Sequence, residues 1–242
     1  MASTLKSDNL TRKFGTRLVV DDVSFYVNSG EVVGLLGPNG AGKTTSFYMT
    51  VGLLKPTTGV VEVDGNEITK LPIHKRARMG IGYLPQNSSV FRKLTVEDNI
   101  RAIMEVWGVP RKKRQAMLEK LIDQFGIGHI RKSLGISLSG GERRRLEIAR
   151  TLVISPRFLL LDEPFAGIDP VTVGEIQELI KKLVREENLG VLITDHNVRE
   201  TLSLCNRAYI LANGKILAKG LPDEVANDEM VRQVYLGENF TF

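Results

Sequence analysis

Residues 37–44 read Gly-Pro-Asn-Gly-Ala-Gly-Lys-Thr and fit the pattern G-x-x-x-x-G-K-[ST]. Their neighbours fix what they can be. Glu31-Val-Val-Gly-Leu-Leu36 before them is a short apolar run suited to a buried strand, and Lys43 to Leu54 after them can open a helix. A strand, a glycine turn and a helix start together make an anion site, because free N–H groups and the helix dipole face one point. Gly37, Gly40 and Gly42 let the backbone wrap closely around phosphate oxygens, with Pro38, Asn39, Ala41 and Thr45 completing the contact surface. Lys43 is placed to reach the β- and γ-phosphates, and the Thr44 hydroxyl to ligate Mg2+. A glycine-rich turn with a chance lysine would need none of these flanks. A chain built around this unit is α/β.

The rest of the chain extends that pattern. With 42% hydrophobic residues, the 242 residues can bury a core, which excludes general disorder. No apolar run approaches the ~18 residues that cross a bilayer, and the first residues, Met1 to Asp8, lack the apolar region of a signal peptide. The lone cysteine, Cys205, forms no internal disulfide and reads as a small buried hydrophobe in a reducing cytosol. A net charge of +5 would suit nucleic acid or an anionic membrane. That charge is spread, however, and its densest clusters, Arg111-Lys-Lys-Arg114 and Arg143-Arg-Arg145, read as solvated helix faces.

Up to about residue 85 the pattern predicts mainly strands and turns, including alternating Val23-Ser-Phe-Tyr-Val27, the turn Asn28-Ser-Gly30 and the strand Gly59 to Gly65. Residues ~95 to 154 read as helical throughout. Thr95-Val-Glu-Asp98 caps a helix with Val96, Ile100, Ile103, Met104 and Trp107 on one face, and a second helix after Pro110 carries Met117, Leu118, Leu121, Ile122 and Phe125. From Pro156 strands and helices alternate: Phe158 to Leu161, an amphipathic helix over Val173 to Val184, Leu189 to Ile193, and a hairpin turning at Asn213-Gly214. A helical insert thus interrupts an α/β core with a mostly parallel sheet.

Three segments carry chemistry. Phe158-Leu-Leu-Leu-Asp-Glu163 is an apolar strand ending in two carboxylates, where ligands of open α/β sheets sit. Asp162 is expected to face the metal, and Glu163 to polarise an attacking water. Ser139-Gly-Gly-Glu142 makes a capping box, yet two glycines in a first turn cost roughly 1 kcal/mol each against alanine. They make sense where something approaches the backbone closely. His196, after Leu189 to Ile193, falls on the same sheet edge as Glu163, and Gln86 stands where the core meets the helical insert.

In this order, and over essentially the whole chain, the segments resemble the ATP-binding cassette (ABC) ATPase family. The intact Leu138-Ser-Gly-Gly-Glu142 signature is far more specific than a phosphate loop alone. The resemblance implies a P-loop NTPase cassette in one domain, 1–242. A RecA-like core of about 1–86 and 156–242 carries an antiparallel β subdomain, and the helical subdomain spans about 87–155. It implies ATP and Mg2+ as cofactors and a head-to-tail homodimer, in which one chain gives the phosphate loop and the other its Leu138 to Glu142. It assigns Mg2+ to Thr44, Gln86 and Asp162, catalysis to Glu163, His196 and Gln86, adenine stacking to Phe14, and communication across the dimer to Asp169. Finer segments, among them Ser89 to Asp98, Gly141-Glu-Arg-Arg-Arg145 and Asp195 to Thr201, resemble the ATPases of lipopolysaccharide exporters. The ATPases of branched-chain amino-acid importers are the alternative. Two permeases would then dock near Phe91 and Arg92, and the chain would be cytoplasmic, held at the inner membrane only through them. A soluble relative acting on DNA or ribosomes would have two cassettes or a long coiled-coil insertion, so nucleic acid is not expected.

Overall fold

The computed structural model describes residues 3–238 and 240; Met1 and Ala2, part of the N-terminal reading above, lie outside them. Strands β1 (Thr4–Phe14) and β2 (Arg17–Asn28) form a hairpin, and β3 (Val32–Leu36) leads into α1 (Lys43–Val51). There follow β4 (Thr58–Val63), β5 (Asn66–Glu67), α2 (Ile73–Arg78) and β6 (Ile81–Leu84). Three helices come next, α3 (Val96–Val106), α4 (Arg111–Gln124) and α5 (Gly140–Leu152). The alternating half contains β7 (Phe158–Asp162), α6 (Pro170–Glu187), β8 (Gly190–Thr194), α7 (Val198–Leu204) and the hairpin β9 (Arg207–Ala212) and β10 (Lys215–Gly220). The chain closes on α8 (Pro222–Asn227), α9 (Glu229–Val231) and a π-helical turn over Arg232–Leu236.

Among the described residues, β2-β1-β4-β5 is an antiparallel sheet and β10-β9-β3-β8-β7-β6 a second sheet, parallel except for β10. The second sheet is buried on both faces, which is why its strands read as continuous apolar runs. Leu159, Leu161, Val191 and Ile193 point to one core with α3 to α6. Phe158, Leu160 and Leu192 point to the other, with α1 and the antiparallel sheet. The β9–β10 turn places Asn213 and Gly214 at φ 50° and 78°, as a type I′ hairpin requires.

Several expectations need correction. The stretch from 95 to 154 is not helical throughout: α4 stops at Gln124, and short 3-10 turns at Gly128–Ile130 and Gly135–Ser137 precede α5. Gly126, at φ 62°, ends the helix in the left-handed region. Trp107 caps α3 half-exposed instead of sitting on its buried stripe. The short helix α2 lies inside the stretch read as strands and turns. Cys205 is buried as expected, its Sγ 2.9 Å from where a Cβ on Gly34 would stand.

Candidate functional site

The parallel register brings the site together. Leu84 is level with Leu161, and Asp162 with Thr194, so the residues after β6, β7 and β8 leave the sheet at one height. Gln86, Glu163 and His196 meet there. Gln86 Nε2 donates to Glu163 Oε2 at 2.6 Å, and His196 Nε2 lies 2.7 Å from Glu163 Oε1. Glu163 is itself buried and held at φ 47°, an uncommon conformation for a non-glycine residue, with its N–H bonded to Thr194 O at 2.7 Å. Strain of this kind persists where surrounding bonds over-determine it. Here they do, because Arg144 Nη2 donates to Glu163 O at 2.9 Å and its Nε to Pro164 O at 2.8 Å.

Beside this cluster the loop after β3 wraps a cleft of about 260 Å3, lined by Asn39 to Thr45 together with Arg17, Val19, Glu163 and His196. Gly42, at φ 100°, precedes α1, and no side chain caps that helix start. Its first-turn N–H groups therefore point into the cleft without an intrahelical partner. Gly37 is required by crowding, since a Cβ there would stand 2.1 Å from Leu211 O on neighbouring β9. Gly40, at φ 77°, has open space where a Cβ would go. Lys43 folds back, Nζ donating to Gly37 O at 2.6 Å and Pro38 O at 2.9 Å. Burial pulls its pKa down, opposed by the charge of Glu163. Thr44 is exposed toward the cleft.

Asp162 is buried at the end of β7, and its Oδ2 accepts no hydrogen bond. Burial raises its pKa, and the Glu163 charge adds to the rise while contact with Tyr48 opposes it. Asp195, next to His196, is spent on structure: Oδ2 accepts from Phe165 N at 3.0 Å and Oδ1 from Asn197 N at 2.9 Å. Phe14 does not line the cleft. It stands opposite Arg17 at the end of the β1–β2 hairpin, 47% exposed, with the Arg12 guanidinium 4.7 Å over its ring.

The helix start at Ser139 lies apart from the cleft. Its capping box is complete: Glu142 N donates to Ser139 Oγ at 3.3 Å, and Ser139 N to Glu142 Oε2 at 2.8 Å. Leu138 is buried, whereas Ser139 and Gly140 are exposed. The two glycines separate here. A Cβ on Gly141 would meet Thr172 Cγ2 of α6 at 2.3 Å, so any side chain there forces Thr172 to shift. On Gly140 it would meet only ordinary contact, Gly167 O at 3.6 Å, so packing leaves Gly140 unexplained. Asp169 caps α6, accepting from Thr172 N at 3.0 Å, and this contact holds its carboxyl below the usual range.

Sequence reasoning missed Arg144. The run 143–145 was read as a solvated face, yet Arg144 is buried, its Nη1 donating to Glu147 Oε2 at 3.0 Å and Pro85 O at 3.3 Å. Three consecutive helical residues span about 200° of arc, so one of them must turn inward. Burial lowers its pKa, with Glu147 opposing. Glu147 Oε1 accepts from Ser89 N at 2.9 Å, so α5 holds both ends of the segment carrying Gln86. Arg17 and Val19 were missed too; only their nearness to Phe14 signalled them.

A mostly apolar groove of about 270 Å3 runs along α2, β6, α3 and α5, lined by Ile73, Ala77, Tyr83, Ser89, Ile103 and Arg150 among others. Phe91 flanks it at 45% exposure, with the Arg150 guanidinium 4.6 Å over its ring and Asn99 bonded to its N–H and C=O. Arg92 beside it is exposed. A cavity of about 360 Å3, lined by Met117, Lys120 and Leu189 among others, opens near the N-terminal ends of β7 and β8, away from the carboxylate cluster.

The family model described as ABC transporter matches residues 20–166. The chain is 56% identical over 239 residues to the lipopolysaccharide export system ATP-binding protein LptB of Haemophilus influenzae, covering 98% of this chain and 99% of that one. It is 54% identical to the protein of the same name from Escherichia coli K12, again over 98% and 99%. A crystal structure of an ATP-binding cassette of an ABC transporter in its ADP conformation superposes with a TM-score of 0.87 at 28% identity, covering 98% and 99% of the two chains.

Proposed function

The chain belongs to the ABC transporter family of ATP-binding proteins, and on that premise we propose that it is the ATP-hydrolysing subunit of a lipopolysaccharide exporter, acting as a pair of copies beneath two membrane permeases. The observation that carries the hydrolytic role is the meeting of Gln86, Glu163 and His196 at the mouth of an uncapped phosphate loop; the export role is supported by the full-length likeness to lipopolysaccharide export ATP-binding proteins. Lys43 exchanges its bonds to Gly37 O and Pro38 O for the phosphates of ATP. Glu163 takes the proton of the attacking water, Gln86 positions that water, and His196 holds the γ-phosphate. Gln86 and His196 each engage one Glu163 oxygen, which orients the carboxylate and leaves acceptor capacity on both oxygens for the attacking water.

The residues present fit Mg2+. The buried, unpartnered Asp162 Oδ2 is an atom a divalent cation would satisfy, and Thr44, Asp162 and Gln86 are the groups that would hold it. When bound, it neutralises charge on the β- and γ-phosphate oxygens.

The cleft is half a site. Ser139 and Gly140 are exposed and do not line it, which supports a second copy supplying its Leu138 to Glu142, while Asp169 signals across the pair. Phe14 stacks on adenine with the ring face that Arg12 leaves free. The groove flanked by Phe91 and Arg92 receives the permeases. No helix among the described residues is long and apolar enough to cross a membrane. On its likeness to ATP-binding proteins of an export system, we place the chain at the cytoplasmic face of the inner membrane, held there by its partners. Reconstitution of the chain with its co-purifying permeases in lipopolysaccharide-containing vesicles tests this. ATP-dependent extraction of lipopolysaccharide is expected; ATP-dependent uptake of a branched-chain amino acid instead would overturn it.

A further inference from the structure

Helix α2 carries a cation that this mechanism does not use. Arg76 is 1% exposed, and its guanidinium is spent on backbone carbonyls. Nε donates to Leu71 O at 2.9 Å, Nη1 to Met49 O at 2.9 Å and Thr50 O at 2.7 Å, and Nη2 to Thr69 O at 2.8 Å. Burying a charge is costly unless its hydrogen bonds are replaced, and here the replacement is the negative end of a helix. Met49 and Thr50 belong to the last turn of α1, the helix whose first residue is Lys43. Gly52 makes room, since a Cβ there would lie 2.6 Å from Arg76 Nε. Burial lowers the Arg76 pKa to about 10, so it stays charged at neutral pH.

Gly52, in the left-handed region, closes α1 only at Tyr48 O, which its N–H reaches at 3.0 Å, so the Met49 and Thr50 carbonyls are capped by Arg76 itself. The other side of α2 has a use: Ile73 and Ala77 line the apolar groove together with Tyr83 of β6. The Tyr83 ring meets Phe47 of α1 with centroids 6.1 Å apart. One wall of the groove is therefore tied to the back of the phosphate-loop helix twice, by Arg76 at its end and by Phe47 at its middle.

We propose that Arg76 is a positioning residue that joins the α2 wall of the groove to α1, so that a protein helix seated in the groove sets how the phosphate loop holds ATP. This rests on the groove being where the permeases dock. The test compares KM and kcat for ATP in the isolated chain and in the chain assembled with its permeases, for the wild type, Arg76→Lys and Arg76→Met. In the wild type KM is expected to differ at least threefold between the two states. Arg76→Met should shrink that difference to within twofold, and Arg76→Lys, which keeps the charge, should restore part of it. Loss of folded protein would lower kcat without moving the KM difference, and thermal denaturation of each variant measures that loss. A wild type with equal KM in both states, or an Arg76→Met whose KM difference is unchanged, overturns the proposal. Cross-linking from Ala77→Cys separates the two readings: no cross-link to a permease refutes the docking assignment, whereas a cross-link with an unchanged KM response in Arg76→Met refutes the role of Arg76.

Discussion

At Glu163 the backbone and the side chain are constrained together. A left-handed φ, a bond to Thr194 O and the Arg144 guanidinium fix the backbone, while Gln86 and His196 hold the carboxylate. Glu163→Gln keeps the shape and removes the proton acceptor, so turnover should fall by about 10²- to 10⁴-fold with ATP affinity within threefold, read by single-turnover hydrolysis and nucleotide titration. Asp162 gives a pH prediction. Its pKa is raised on folding, so the folded state binds that proton more tightly than the unfolded one. In the absence of cation its carboxylate therefore costs stability at neutral pH, and the cost disappears as pH falls through the raised value toward the unfolded 3.8. Asp162→Asn should raise the neutral-pH melting temperature of the nucleotide-free chain, and the gap from wild type should close on acidification. A gap that widens toward acid would contradict the account of a carboxylate made costly by its burial. The sequence placed Asp162 and Glu163 correctly at a strand end, because a continuous apolar run and its terminal carboxylates are local features. Arg144 was not legible, because the carbonyls it reaches, on Pro85, Glu163 and Pro164, come from other parts of the chain.

At the scale of elements, α5 is the piece that ties the site together. Its N-terminus carries the capping box, its second turn holds the Glu163 backbone, and Glu147 with Arg150 holds the segment leading from Gln86 to Ser89. The two glycines in its first turn should behave oppositely. Gly141→Ala drives a Cβ into Thr172 and should destabilise the chain by about 1–3 kcal/mol, measured by denaturant unfolding. Gly140→Ala meets no such clash and gains helix propensity, so stability should hold or rise by up to ~1 kcal/mol. Its ATPase activity should nonetheless fall, because the added methyl stands where the partner's nucleotide must approach. The pattern of α5 was readable in the sequence, capping box included; which glycine answered to packing was not, since that depends on how closely α6 crosses it. The same limit explains α2, a six-residue helix too short for periodicity to reveal, which nevertheless forms a wall of the groove.

At the scale of the molecule, the parallel sheet sets its loops at one edge, and Ser139 at the start of α5 does not line the phosphate-loop cleft. We propose that the chain divides into a core of about 1–86 and 156–242 and a helical part of about 87–155. This division puts the phosphate loop on one piece and Ser139 on the other. Loop, carboxylates and His196 were visible in the sequence because each closes an apolar strand whose register the sheet then enforces. The separation of Ser139 from its own cleft was visible only through family resemblance, because no local pattern encodes how far apart two loops end. Turnover of the Ser139→Tyr chain tests the half-site account most directly. Losing one N-cap should lower the melting temperature by about 2–4 °C, and ATP affinity should stay within twofold, while hydrolysis should fall at least about 100-fold. Normal hydrolysis by that chain would mean that each copy completes its own site, and the account would be wrong.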